Sequence, residues 1–185
     1  MRALLLVVAI VGCEGAPKGT NALFPQKDDP DNLRALLDTI VKASESGDLK
    51  TAGALVRGLL PDAAALKKAF RDDVPAEVLA TIRANIERVP ADDAALAGGI
   101  RRGDPTQTQI NVHGATTEEI QGGSTRAAGE FPGGAKEKAV LLRPGFRFYE
   151  AELVAPGEDL GMKYHLFFWD GSQWRMLGPI WRSLE

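Results

Sequence analysis

The chain has 185 residues, 44% of them hydrophobic and 25% charged, with a formal net charge of −3. That is ordinary globular usage, long enough for one domain with its own core. Without a basic excess to neutralise phosphates, nucleic acid is not an expected partner, and a single cysteine excludes an internal disulfide and any cysteine-cluster metal site.

The first segment reads as a targeting signal. Arg2 gives one positive charge, Ala3 to Val11 is an unbroken apolar run, and Gly12 precedes Cys13. The run is too short for a bilayer span, which needs about 20 apolar residues. The sequence Ile10-Val11-Gly12-Cys13 resembles the lipobox of bacterial lipoproteins. That resemblance implies cleavage before Cys13, a diacylglyceryl group on its thiol, acylation of the new amine, export, and anchoring in the cell envelope. It leaves inner and outer membrane open. The other reading of Cys13 is a free core-type cysteine at the end of an apolar helix. Residues 1–12 are therefore expected to be a signal peptide, 13–30 a Gly/Pro/Lys/Asp-containing tether, and 31–185 a single α+β domain.

Asp31 makes a candidate N-cap after Pro30, and Leu33, Leu36, Leu37, Ile40 and Val41 fall at helical spacing until Gly47. Asp48 caps a second expected helix carrying Leu55, Val56 and Leu59, stopped by Pro61. A third runs from Asp62 to Phe70. A fourth follows Pro75, with Val78, Leu79, Ile82 and Ile86 in one stripe, and ends near Pro90. Ala91 to Thr106 reads as a flexible link whose Arg-Gly-Asp triplet, Arg102 to Asp104, is taken as chance.

Gln107 to Gly114 alternates, with Ile110 and Val112 on one face and His113 on the other, as in a half-buried strand. Thr116 to Glu119 matches a capping box. The competing use of Glu118 or Glu119, joining His113 in a metal or acid/base site, has no ligand spacing behind it. Gly122 to Gly134 is an expected loop and Ala135 to Leu142 a short helix. The GGSTR stretch lacks the lysine of a phosphate loop, so no cofactor is expected.

Phe146 to Arg182 holds most of the aromatic residues and reads as three antiparallel strands, the last two joined at Asp170-Gly171 by a loop of two or four residues. Strict alternation places His165 with Phe167, Trp169, Trp174 and Met176, and Tyr164 with Leu166, Phe168 and Leu177. Neither face is polar enough for water, so both are expected to be covered. The N-terminal helices cover one, and a loop, ligand, protein partner or second subunit the other. Glu150 and Glu152 share a face with Phe148. They are either an acid/base pair in a pocket or carboxylates solvated where the strand leaves the core.

The order of helices followed by an antiparallel meander ending in FFWDGSQWRMLG is similar to the cystatin-like cone of NTF2-like domains. The stretches EFPGGAK, FYEAEL and KYHLFFWDGSQWRMLGPIWR also resemble uncharacterised bacterial lipoproteins. Two functions follow as expectations. The first is a non-enzymatic binding or structural module tethered through Cys13. The second is an enzyme acting on a small molecule in an NTF2-like pocket, with Glu150, Glu152, Tyr164 and His165 as candidate pocket residues.

Overall fold

The computed structural model describes residues 28–184. The expected signal, Cys13 and residues 14–27 of the expected tether lie outside them. The last three tether positions, 28–30, belong to the folded body. Asp29, not Asp31, caps the first helix: its carboxylate accepts from the Asp31 N–H at 2.8 Å, which leaves Pro30 in the first turn. A proline suits that place because its fixed φ is already helical and its missing N–H would have no partner there.

Helix α1 (Pro30–Glu45) and helix α2 (Leu49–Gly58) follow the apolar spacing, and Asp48 caps α2 as expected. Helices α3 (Ala63–Ala69) and α4 (Ala76–Glu87) come next. The segment read as a flexible link contains a further turn of helix, α5 (Asp93–Leu96), capped by Asp92. It packs on α2, where Gly53 lets the Asp93 backbone approach so closely that no side chain would fit.

Strand β1 (Gln109–Thr116) leads into helix α6 (Thr117–Gly122) through the expected capping box. The Thr116 hydroxyl accepts from the Glu119 N–H at 3.3 Å, and the Glu119 carboxylate accepts from the Thr116 N–H at 2.8 Å. Helices α7 (Arg126–Gly129) and α8 (Gly133–Lys138) then precede strands β2 (Arg147–Val154), β3 (Met162–Trp169) and β4 (Trp174–Met176). The four strands form one antiparallel sheet in the order β1-β2-β3-β4. The architecture is α+β, with helices first and the sheet last.

The sheet is covered on both faces, and the chain itself covers them. On one face Leu33, Leu36 and Ile40 of α1 and Leu55 of α2 pack against Tyr149, Leu153, Phe167 and Trp174. On the other, Leu66 of α3, Ile82 of α4 and Ile120 of α6 pack against Phe148, Leu166 and Phe168, joined by Ile180 of a C-terminal 3₁₀ turn (Ile180–Ser183). Burying aromatic side chains on both faces removes the largest apolar areas in the chain from water.

The β3–β4 connection is the four-residue alternative, with Trp169 opposite Trp174. Asp170 organises it. One carboxylate oxygen accepts from the Ser172 N–H at 2.8 Å and the Gln173 N–H at 3.0 Å, and the other from Arg175 Nε at 2.8 Å. Arg175 also donates to the Leu60 carbonyl at 2.6 Å and the Asp62 carboxylate at 2.9 Å, so one guanidinium ties the hairpin to the α2–α3 junction.

Candidate functional site

The sheet departs from strict alternation at one place, and that place decides where the candidate residues lie. Tyr149 pairs with Phe167 and Ala151 with Tyr164, so Glu150 alone stands opposite both His165 and Leu166. This is a β-bulge in β3. Leu166 adopts φ 56°, the left-handed region that side chains other than glycine rarely enter. The extra residue inverts the side-chain parity of everything in β3 before it. His165 therefore leaves the face expected for it and joins the Phe148 and Phe168 side. Tyr164 moves the opposite way, onto the side of Phe167 and Met176.

Glu150 fills the gap that the bulge creates. Its side chain is 1% exposed. One carboxylate oxygen lies 2.6 Å from His165 Nδ1, and the other accepts from the Leu166 N–H at 3.3 Å. Burial raises the Glu150 pKa, opposed by the His165 and Leu166 hydrogen bonds. The reading of Glu150 and Glu152 as solvated carboxylates is overturned, because the residues are 1% and 3% exposed. Both sit on β2, an inner strand of the sheet, Glu150 against His165 and Glu152 against Lys163, not where the strand leaves the core.

Glu152 accepts from the Gly161 N–H at 2.7 Å and lies 3.5 Å from Lys163 Nζ. Lys163 bonds in turn to Glu130 of the α7 end at 3.1 Å. Burial alone disfavours the lysine cation, but Glu130 and Glu152 outweigh it and raise its pKa. Lys163 in turn holds Glu130 below the ordinary carboxylate range. His113, across from Glu150 in the β1–β2 register, borders the same row of charges. Glu118 and Glu119 do not join it. Glu119 is held in the capping box, and Glu118 accepts from the Gly145 N–H at 2.7 Å.

A carboxylate on Nδ1 fixes an imidazole's orientation and, when ionised, keeps the proton on Nδ1 and leaves Nε2 basic. Glu150 and His165 stand at the distance such a contact requires. The imidazole is also covered, since the Trp181 indole packs edge-on against it with ring centroids 5.0 Å apart. Tyr164, the fourth candidate, takes no part. Its hydroxyl accepts from the Arg101 N–H at 2.7 Å and donates to the Arg101 carbonyl at 2.8 Å on the other face, where burial raises its pKa.

Sequence reasoning missed Lys163, Glu130 and Trp181. Trp181 had a signal in Gly134, where a Cβ would strike the indole ring, but the pairing of two residues so far apart is a tertiary fact. It also missed a cleft of about 220 Å³ between α4 and the C-terminal turn, floored by Ile82, Ile86 and Val89 on one side and Leu177, Pro179 and Ile180 on the other. Two further clefts, of about 170 and 270 Å³, lie beside Arg101 and Arg102 and between α1 and the start of β1. None of these three clefts is lined by Glu150, Glu152, Tyr164 or His165. No helix among the described residues is long and apolar enough to cross a membrane.

Compared with known protein families, with curated proteins and with solved structures, the chain has no match.

Proposed function

We propose that this chain is a lipid-anchored protein of the bacterial cell envelope whose folded body is a non-enzymatic binding module. The anchor rests on Ile10-Val11-Gly12-Cys13 behind the apolar run. One acyl chain binds a membrane only marginally, whereas the several that such a cysteine receives hold a protein there. The binding role rests on one observation, the open apolar cleft between α4 and the C-terminal turn. Open apolar concavities with a few polar groups at the rim are where small ligands settle. Three of the four polar candidates support the non-enzymatic side because each is engaged in holding the fold. Glu150 closes the bulge, Glu152 holds the turn before β3, and Tyr164 pins the Arg101 loop. A protein partner or second copy meets the helices and the C-terminal turn rather than the sheet, which they cover.

The second reading, an enzyme acting on a small molecule, draws on the contact between Glu150 and His165. It requires Trp181 to move off the imidazole. Fatty-acid labelling and membrane fractionation of the wild type and Cys13→Ser test the anchor: label and membrane association are lost in the variant, and equal soluble fractions overturn the lipoprotein reading. Native mass spectrometry of the purified protein tests the module. A bound small molecule lost on Ile86→Ser supports the cleft.

A further inference from the structure

We infer that the cleft between α4 and the C-terminal turn is a binding site for the anion of a medium-chain fatty acid, with the chain on the apolar floor and the carboxylate at Arg182. The inference rests on the reading of the protein as a binding module and names the ligand class of that cleft.

The floor dictates the first half of the ligand. The stripe of α4 is amphipathic in sequence, yet among its apolar residues only Ile82 is fully buried. Ile86 and, just beyond the helix, Val89 are half-buried and line the cleft beside Ile82, whereas Val78 and Leu79 pack against the core. A helix that presents a half-covered apolar stripe to an open cleft leaves hydrophobic surface that a chain of methylenes would remove from water, at about 0.8 kcal/mol for each CH₂ buried. The cleft, about 220 Å³, is small and open, and it takes a single acyl chain of medium length along its floor. It is too small for a helix of a partner protein, which is roughly 10 Å across with its side chains.

The rim dictates the second half. Arg182 is exposed and is the one charged residue among the described residues lining the cleft, in a chain whose net charge is −3. Asn85 and Ser183 are the neutral polar residues of the lining, and Asn85 Oδ1 accepts from Arg88 Nη1 at 3.4 Å. Arg182 has no ion-pair or hydrogen-bond partner through its guanidinium among the described residues. An apolar floor whose lining carries one cation, one amide and one hydroxyl and no carboxylate complements a carboxylate-headed amphiphile. A guanidinium takes a carboxylate through two parallel hydrogen bonds. An aliphatic amine is repelled there, and an alcohol leaves the guanidinium without an anion.

The test is isothermal titration of the whole purified protein with decanoate, 1-decanol and decylamine, each below its aggregation concentration, for the wild type, Arg182→Gln and Ile86→Ser. Decanoate should saturate at one per protein and bind about tenfold tighter than decanol, the size of one charge-assisted hydrogen bond. Arg182→Gln should bring decanoate down to the decanol level without moving decanol, and Ile86→Ser should weaken both. Equal binding of decanoate and decylamine, or an unchanged decanoate affinity in Arg182→Gln, overturns the inference. Its failure is separable from that of the binding-module reading. A different co-purifying molecule lost on Ile86→Ser leaves the module and removes the fatty acid, whereas no ligand of any kind and no effect of Ile86→Ser removes both. Self-association abolished by Ile86→Ser, with no decanoate bound, assigns the cleft to a second copy instead.

Discussion

Replacing Glu150 with alanine tests whether this carboxylate holds the bulge together. The variant removes the acceptor for the Leu166 N–H and the partner of His165 Nδ1, both within the sheet. An N–H left buried without an acceptor costs about 1–3 kcal/mol, and removing the partner of His165 Nδ1 leaves a second polar group short of its hydrogen bond at a similar cost. A loss of about 4 kcal/mol, at roughly 2–4 °C per kcal/mol for a domain of this size, lowers the melting temperature by about 10 °C. Glu150→Gln keeps the shape and an acceptor for Leu166, so its loss should be smaller. Their pH dependence separates charge from shape. Because burial raises the folded pKa of Glu150, the folded state retains a proton that the unfolded state has released just above the ordinary carboxylate range. Wild-type stability therefore falls relative to Glu150→Gln as pH rises through that window. Urea unfolding followed by circular dichroism across that range measures both effects. A Glu150→Ala loss under 1 kcal/mol, or a wild-type advantage that grows with pH in that window, would refute the reasoning.

Two further substitutions probe the elements around the sheet. Arg175→Ala leaves the Asp170 carboxylate, 5% exposed, without its cation and frees the Leu60 carbonyl. A loss of about 3–5 kcal/mol is expected in urea unfolding. Burial works against the Asp170 charge, but hydrogen bonds from Ser172, Arg175 and Gln173 outweigh it and hold the carboxyl below its usual range. Its contribution is present above the unfolded value and is lost as pH falls through the lower folded value. Arg175→Ala should therefore flatten the acid limb of the stability curve, and an unchanged limb would count against the assignment. Gly134→Ala places a methyl against the Trp181 indole, so it should cost about 1–3 kcal/mol and red-shift the tryptophan emission as Trp181 is pushed into water. An unaltered spectrum would show that the indole does not depend on that glycine.

The local rules that read well here are those whose partners lie within a few residues. Asp48 and its helix, the Thr116–Glu119 capping box and the Asp170 turn each stand where the sequence puts them, because every group involved is within one turn of chain. The prediction that both sheet faces are covered also holds, since an apolar count on each face needs no knowledge of what covers it. The cap of α1 is Asp29 rather than Asp31 because Pro30 takes the first turn, where its missing N–H costs nothing. Just ahead of that cap, Asp28 accepts from the Tyr149 hydroxyl at 2.7 Å.

The sequence by itself determined the order of the first four helices and the four strands, the helix stripes, the turn chemistry and the density of aromatic residues in β2 to β4, but not the short helices α5 and α7, which lie in segments read as a link and a loop. The features it determined follow from residue periodicity and from capping groups that act over a few positions. The tertiary structure alone decided which face His165 occupies. Alternation is a parity rule, and one bulged residue reverses it for the rest of the strand. Nothing in Lys163-Tyr164-His165-Leu166 marks the bulge, which is held by Glu150 from a neighbouring strand. The same applies to the cleft at Arg182: α4 carries its apolar stripe in the sequence, but that the stripe is left half-covered depends on how the C-terminal turn packs against it.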